Sequence, residues 1–373
     1  MFGRKKREAD CKPLPAVQTA PRLAGGLQPL LTLQAQSHAE RALYAALRTA
    51  VPIVDAAIGK IVRLLGTFTV VTDDLLAQAA ADRFVREVQV NGSAQGLAAF
   101  VSDYLDSMLT YGEAVGEMLP DAAKTGITAL YTADPDDVRI TQGSSPLDLN
   151  ILRSDGKAVD NPSLVFASLL RQKRGTVRGT PLLEGLPFVS EILLRIFRSL
   201  KTNWERMGDV RFAVTYDPKD GCFSKESARQ IADEWKRAMR SDTVCDFVSV
   251  GDVHVRVIGA EQPMPDCQVP VRVLTEQLIA KLGIPPFLLG ISWSSTERMS
   301  AQQADILTSE LEYYRAAVEP AVRRVLDTHL RLAGFAGGFS LEWEDINLQD
   351  AVELSQARLN NARAAQLEKE CGG

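Results

Sequence analysis

Histidine and cysteine are both scarce in this sequence. The histidines are His38, His254 and His329, and the cysteines are Cys11, Cys222, Cys245, Cys267 and Cys371. The cysteines are scattered, odd in number and form no CxxC pair, so neither a disulfide framework nor a zinc site is expected. Three imidazoles leave little material for His-based metal or acid–base chemistry. A long apolar run is missing too. The longest apolar-rich stretch, 51–65, is broken by Pro52, Asp55, Lys60 and Arg63 and falls short of the roughly 18 apolar residues of a membrane span. The first residues, MFGRKKREAD, lack the apolar core of a signal peptide, and a cytosolic product is expected. There is no GxxxxGK[ST] run and no GxSxG elbow, which removes the motifs of a P-loop ATPase and of a serine hydrolase. A basic excess is also absent: 42 Lys and Arg stand against 47 Asp and Glu, for a net charge of −5. Affinity for DNA scales with the phosphates neutralised, so any contact with DNA should be weak and blind to sequence.

What is present is apolar material and punctuation. Hydrophobic residues make up 46% of 373, enough for two or three packed units. Residues 1–36 read as a flexible arm, with Pro13, Pro15, Pro21, Gly25, Gly26 and Pro29 behind a basic tip, Arg4 to Arg7. Ser37 and Glu40 form a capping box, and apolar positions at helical spacing follow to Leu65, with a kink expected at Pro52. A second helix is expected over 93–111. Strands follow at 114–119, 127–132, 138–141, 147–152 and 164–170, separated by turn residues such as Asp134-Pro135 and Asp155-Gly156.

Thr180-Pro181 then opens a long helix, proline being favourable at a first helical position. Leu186, Val189, Leu193, Ile196, Leu200 and Trp204 recur along it as a packing seam ending at Gly208. Leu182, Leu183, Phe188, Ile192, Leu194 and Phe197 add apolar surface off that seam. Such a helix needs cover on a second side, which a neighbouring subunit can supply. Residues 209–260 read as an insert: strand 210–216, helix 224–240, and strands 246–250 and 253–258 joined by a hairpin at Gly251-Asp252. A helix over 269–282 stops at Gly283-Ile284-Pro285-Pro286. A loop, 287–294, leads to a second capping box at Ser294 and Glu297. The helix it opens runs to Leu332 with Pro320 inside it, where a kink is expected. Residues 335–343 return to extended structure and 348–370 to helix.

Two acidic groups, Asp134/Asp136/Asp137 and Glu342/Glu344/Asp345, invite a two-metal nuclease reading, which needs converging carboxylates. The first reads better as a turn around Pro135. In the second, Asp345 points away from the other two on a strand. Gly112 and Gly116 read as turn residues, too sparse to cradle a phosphate. No catalytic residue, cofactor or metal ligand is expected.

Three stretches together resemble the portal proteins of tailed bacteriophages, of the HK97-like or SPP1-like type. The most specific is 278–290, Leu-Ile-Ala-Lys-Leu-Gly-Ile-Pro-Pro-Phe-Leu-Leu-Gly, similar to that family's helix, Gly, Pro-Pro and leucine-rich passage. The second, 294–329, contains Ser295-Thr296-Glu297 and Glu319-Pro320 and resembles the long kinked helix that follows it. The third, Arg178-Gly179-Thr180-Pro181-Leu182-Leu183, is similar to the start of the family's stem helix. The order of elements matches over 40–365, although the chain is short for the family and a C-terminal crown is doubtful.

The resemblance implies an α+β portal fold. Residues 37–180 and 335–373 would form the α/β wing. Residues 181–208 and 261–284 would form the stem helices, 209–260 the clip, and 285–334 the tunnel loop and kinked helix. It implies a ring, usually a dodecamer, at a capsid vertex, assembled in the host cytoplasm, through which a genome is packaged and ejected. The implied partners are the terminase, head-completion or adaptor proteins, the major capsid protein or scaffold, and double-stranded DNA, with no membrane. Ile291, Ser292, Trp293, Ser294, Ser295 and Arg298 would face DNA at the tunnel loop, and Pro320 would mark the kink. Leu186, Val189, Leu193, Ile196 and Leu200 would pack the stem, and Arg229, Trp235 and Lys236 would serve docking at the clip. Another ring-forming head–tail adaptor, or a metal-dependent DNA-processing enzyme, are the competing readings.

Overall fold

The structure is a computed structural model, and it describes residues 38–145, 148–208, 211–216, 229, 232–233, 253–258, 266–291 and 297–346. The arm, most of the helix expected over 224–240, the hairpin at 251–252 and the helix expected over 348–370 lie outside these residues.

Helix α1 spans His38–Ala50 and α2 spans Pro52–Leu64. The expected kink at Pro52 is a full break. Val51 adopts φ −122° and ψ 90°, and Pro52 sits in the first turn of α2. The residue before a proline is pushed out of the helical region, and the missing N–H costs nothing in a first turn. Strand β1 (Phe68–Thr72) and helix α3 (Leu75–Glu87) follow, in a stretch to which the sequence pattern assigned no element. The helix expected from 93 begins only at Leu97, as α4 (Leu97–Tyr111), because β2 (Gln89–Val90) and β3 (Ala94–Gln95) pair across the intervening turn.

Strands β4 (Glu113–Pro120), β5 (Ile127–Thr132) and β8 (Val165–Leu169) complete a five-stranded sheet of order β3-β2-β5-β4-β8. Only the β2–β5 pair is parallel. Strands β6 (Val138–Gln142) and β7 (Leu149–Arg153) form a separate antiparallel pair. Helix α4 lies on the sheet with Phe100, Tyr104 and Met108 fully buried. The Tyr104 hydroxyl donates to Ser168 Oγ (2.9 Å) or the Ala114 carbonyl (3.2 Å), so its one polar atom is satisfied inside the core. Gly116 is not a turn residue. It sits in β4, and a Cβ there would lie 2.5 Å from the Phe166 ring.

Helix α5 spans Leu186–Gly208, β9 Arg211–Tyr216, β10 Val253–Ile258 and α6 Gln268–Leu282. Strands β9 and β10 pair with each other in antiparallel register. The long helix α7, Glu297–Leu332, carries Pro320 inside it. Pro320 and Ala316, whose carbonyl would have accepted the missing N–H bond, are both exposed. Water can serve that carbonyl. Helix α7 packs into the main core: Leu307, Leu311, Val318, Val322, Val325 and Leu326 are buried together with the apolar side chains of α4. Strand β11 (Phe339–Trp343) pairs with β1 across 273 positions at Thr69 and Glu342, joining 37–180 to 335–346.

Arg315 pins this closure. Its Nε and Nη2 both donate to the Leu65 carbonyl at the end of α2, at 2.8 and 2.6 Å, and its guanidinium lies 5.0 Å over the Trp343 ring. A cation at a helix C-terminus satisfies an orphan carbonyl and the negative end of the dipole together.

Candidate functional site

The candidate site is the helical pair α5 and α6 with the short passage that follows. The pair is rooted by backbone. Gly179 approaches Gly112 so closely that a Cβ on it would lie 1.7 Å from the Gly112 carbonyl oxygen. That carbonyl accepts from Leu170 N–H (2.8 Å), Thr180 N–H donates to the Leu170 carbonyl (2.6 Å), and Leu182 N–H donates to the Leu109 carbonyl (2.9 Å). Leu182 and Leu183 are then buried and Gly185 takes φ +88°. This corrects the expected helix start at Pro181. Residues 181–185 are spent on core contacts, and a left-handed glycine cannot continue a helix, so α5 begins at Leu186.

Burial then falls along α5. Leu186 and Leu193 are buried, and Val189, Ile196 and Leu200 are half-buried. Phe197 is 46% and Trp204 65% exposed. Helix α6 shows the reverse: Val269 is 64% and Val273 50% exposed, while Leu278, Ile279 and Leu282 are buried. The start of α5 and the end of α6 therefore share one core, and the two helices, packed on each other, run antiparallel away from it. At the root, burial first and then the Arg171 charge hold the Lys281 ammonium below its ordinary pKa, with Glu184 opposing. Lys281 and Gly179 stand inside stretches that carry the resemblance, but nothing in the sequence paired them with Arg171, Glu184 or Gly112. They become a group only through the fold.

Gly283 ends α6 in the left-handed region, as expected. The expected loop from 287 is partly structured: Pro286–Leu289 form a 3-10 turn, with Leu288 and Leu289 packed against the core and Gly290 at φ +75°. Two prolines fix the backbone at its start, and burying the leucines draws the turn inward. Ile291 is half-buried and its N–H donates to the Pro286 carbonyl at 3.0 Å. Ser292, Trp293, Ser294 and Ser295 lie outside the described residues. Arg298 falls in the first turn of α7. At the insert, Arg229 is helical and exposed, while Trp235 and Lys236 lie outside the described residues.

The acidic groups do not converge. Asp134 Oδ1 accepts from the Asp136 N–H (2.9 Å), a local turn bond. Asp136 is bound by His38 (2.7 Å) and Arg41 (3.1 Å). Its partial burial acts upward on its pKa, but those two donors hold it below the usual carboxylate value. Glu342 and Glu344 are exposed on and beside β11. Among the described residues no group of three or more His, Cys, Asp or Glu is placed to hold a metal ion, and no helix is long and apolar enough to cross a membrane.

Solved structures share this arrangement. A chain in the neck of an empty gene transfer agent (GTA) particle, computed with sixfold symmetry, is 14% identical with a TM-score of 0.60, covering 87% of this chain and 89% of that one. The chain has the fold of a particle-neck subunit. The neck of a native GTA particle computed with twelvefold symmetry gives a TM-score of 0.60 at 13% identity, over 86% and 88% of the two chains. An HK97-family phage portal protein from Corynebacterium diphtheriae aligns at 16% identity over 82% and 96%, with a TM-score of 0.49. No protein-family model matches the sequence, and no curated protein does. The α+β architecture expected from the sequence is the one found: a mixed core of helices and sheet, a projecting helical pair, a small two-stranded sheet between its helices and a long proline-bearing helix.

Proposed function

We propose that this chain builds the portal ring of a tailed phage or related particle, the conduit at a capsid vertex through which DNA is packaged and ejected. The observation that carries this reading is the apolar surface left open on the α5–α6 pair. Phe188, Phe197, Trp204, Val269 and Val273 are each 42% exposed or more on two helices that project from a closed core. Monomeric proteins rarely leave such a surface open, and copies arranged around an axis would cover it. The fold likeness to neck chains of six- and twelvefold particles supports the same reading.

On this reading Leu186, Val189, Leu193, Ile196 and Leu200 carry stem packing, and Arg229, Trp235 and Lys236 present the insert to the terminase and to head-completion proteins. Ile291, Ser292, Trp293, Ser294, Ser295 and Arg298 line the constriction. The protein is structural and the docked motor supplies ATP-driven work. The net charge of −5 suits a lumen that DNA slides through without sticking. Negative-stain microscopy of the purified full chain tests the reading. Rings with an axial hole are expected, and a strictly monomeric protein at micromolar concentration would overturn it.

A further inference from the structure

A groove of about 350 Å³ lies between α1 and α5. Leu43, Leu47 and Leu194 make its lining apolar, and Arg195 and Arg198 stand on one rim. Arg195 is tied to Glu191 at 2.6 Å. Arg198 has no ion-pair partner among the described residues. Ser190 also lines the groove. It is 1% exposed, and its Oγ has no hydrogen-bond partner among the described residues. A buried hydroxyl without a partner is unfavourable, and its position in this groove marks where a polar contact from outside is missing.

A second surface answers it in shape and charge. Helix α7 exposes Ile306 (65%) and Tyr313 (44%) on one stripe, seven residues apart. Asp305, Glu310 and Glu312 flank that stripe, all exposed and none ion-paired among the described residues. Between 302 and 316 no basic side chain is exposed, since Arg315 is turned into the core. Two turns separate the apolar anchors, a span of about 10 Å, the same as that from Leu43 to Ala50 along the groove.

We propose that the α1–α5 groove of one subunit receives the Ile306–Tyr313 face of α7 from the next. This deepens the ring reading and rests on it. An apolar helix face seats in an apolar groove, the acidic flank meets the Arg195–Arg198 rim, and a polar group of the incoming helix, Ser309 between the two anchors, satisfies Ser190. The two surfaces differ, so the contact is head-to-tail and repeats around an axis until it closes.

The experiment uses the full chain. Mass photometry of Arg195→Glu/Arg198→Glu should show an assembly midpoint raised at least about tenfold, and adding Asp305→Lys/Glu310→Lys should bring it back to within about threefold of the parent. Circular dichroism of each variant reports folding. A photo-reactive benzoylphenylalanine at position 306 of the otherwise unaltered protein guards against variants that fail to fold. Cross-links between subunits that map to 43–50 or 190–198 support the contact. Rings that assemble unchanged after charge reversal, loss without rescue by the opposite reversal, or cross-links elsewhere overturn the groove assignment while leaving the ring standing. A parent protein that forms no rings overturns the ring reading itself.

Discussion

The main core and the α5–α6 pair are built from similar residues and end in opposite states. In the core, α4 buries every apolar side chain on its sheet-facing side, and α7 closes over it. In the pair, the leucine seam starts equally buried at Leu186 and Leu193 and is lost by Trp204. A helix with an apolar stripe is stable when something covers the stripe. The core supplies its own cover. The outer half of the pair does not, so one region is closed within the chain and the other keeps an open apolar stripe.

Leu193→Asp attacks the shared boundary, where an unpaired charge would be buried at 4% exposure. A loss of about 3–5 kcal/mol in subunit stability is expected in urea unfolding. The same change at Trp204 should leave the subunit within about 0.5 kcal/mol of the parent and act only on assembly. Equal losses at both sites would erase the distinction between the regions. Gly179→Ala forces a methyl against the Gly112 carbonyl, and a loss of about 2–3 kcal/mol is expected, with α5 still helical by circular dichroism but the subunit less stable.

Arg315→Met tests the closure of the main core. The Leu65 carbonyl would lose both its donors inside the core, for about 1–3 kcal/mol. Arg315→Lys should recover part of this, since one ammonium cannot reproduce the two-pronged contact.

The smallest effect expected is a pH dependence at His329. Its ring stacks on Phe84 at 3.9 Å, and Nδ1 accepts from Ile127 N–H at 3.1 Å. An acceptor at Nδ1 means that the neutral ring is the folded form. Burial, the largest cause, lowers its pKa below 6.5 and the Asp121 charge opposes it, while the Ile127 N–H donated to Nδ1 favours the neutral ring. A depressed folded pKa gives stability that is whole above pH 6.5 and declines as pH falls toward the folded value. The urea midpoint should therefore drop below pH 6.5 in the parent and drop less in His329→Phe. Identical slopes in the two proteins would exclude this histidine as the source.

Much of this was legible in the chain. The strand at Ile127–Thr132 and the helix ending at Leu282 fall where alternation, apolar spacing and the Gly-Ile-Pro-Pro stop place them, because their signals lie within a few neighbouring residues. Strand β1 was not legible, since five residues gain meaning only from a partner 273 positions away. The start of α5 was misplaced because Pro181 is a good first helical residue, and local preference was overruled by the need to bury Leu182 and Leu183.

The sequence by itself determined the types of most of the other elements, the stops at Gly283 and Gly112, the apolar seam of α5 and the lack of motifs for nucleotide or metal chemistry. Those are matters of local backbone preference and side-chain chemistry, which each residue carries wherever it lies. Only the tertiary structure decided which half of the seam is covered. It also decided that Arg315 caps a helix 250 positions away and that Ser190 lies buried without a partner beside a basic rim. Cover is a property of pairs of distant segments, and no residue carries it alone.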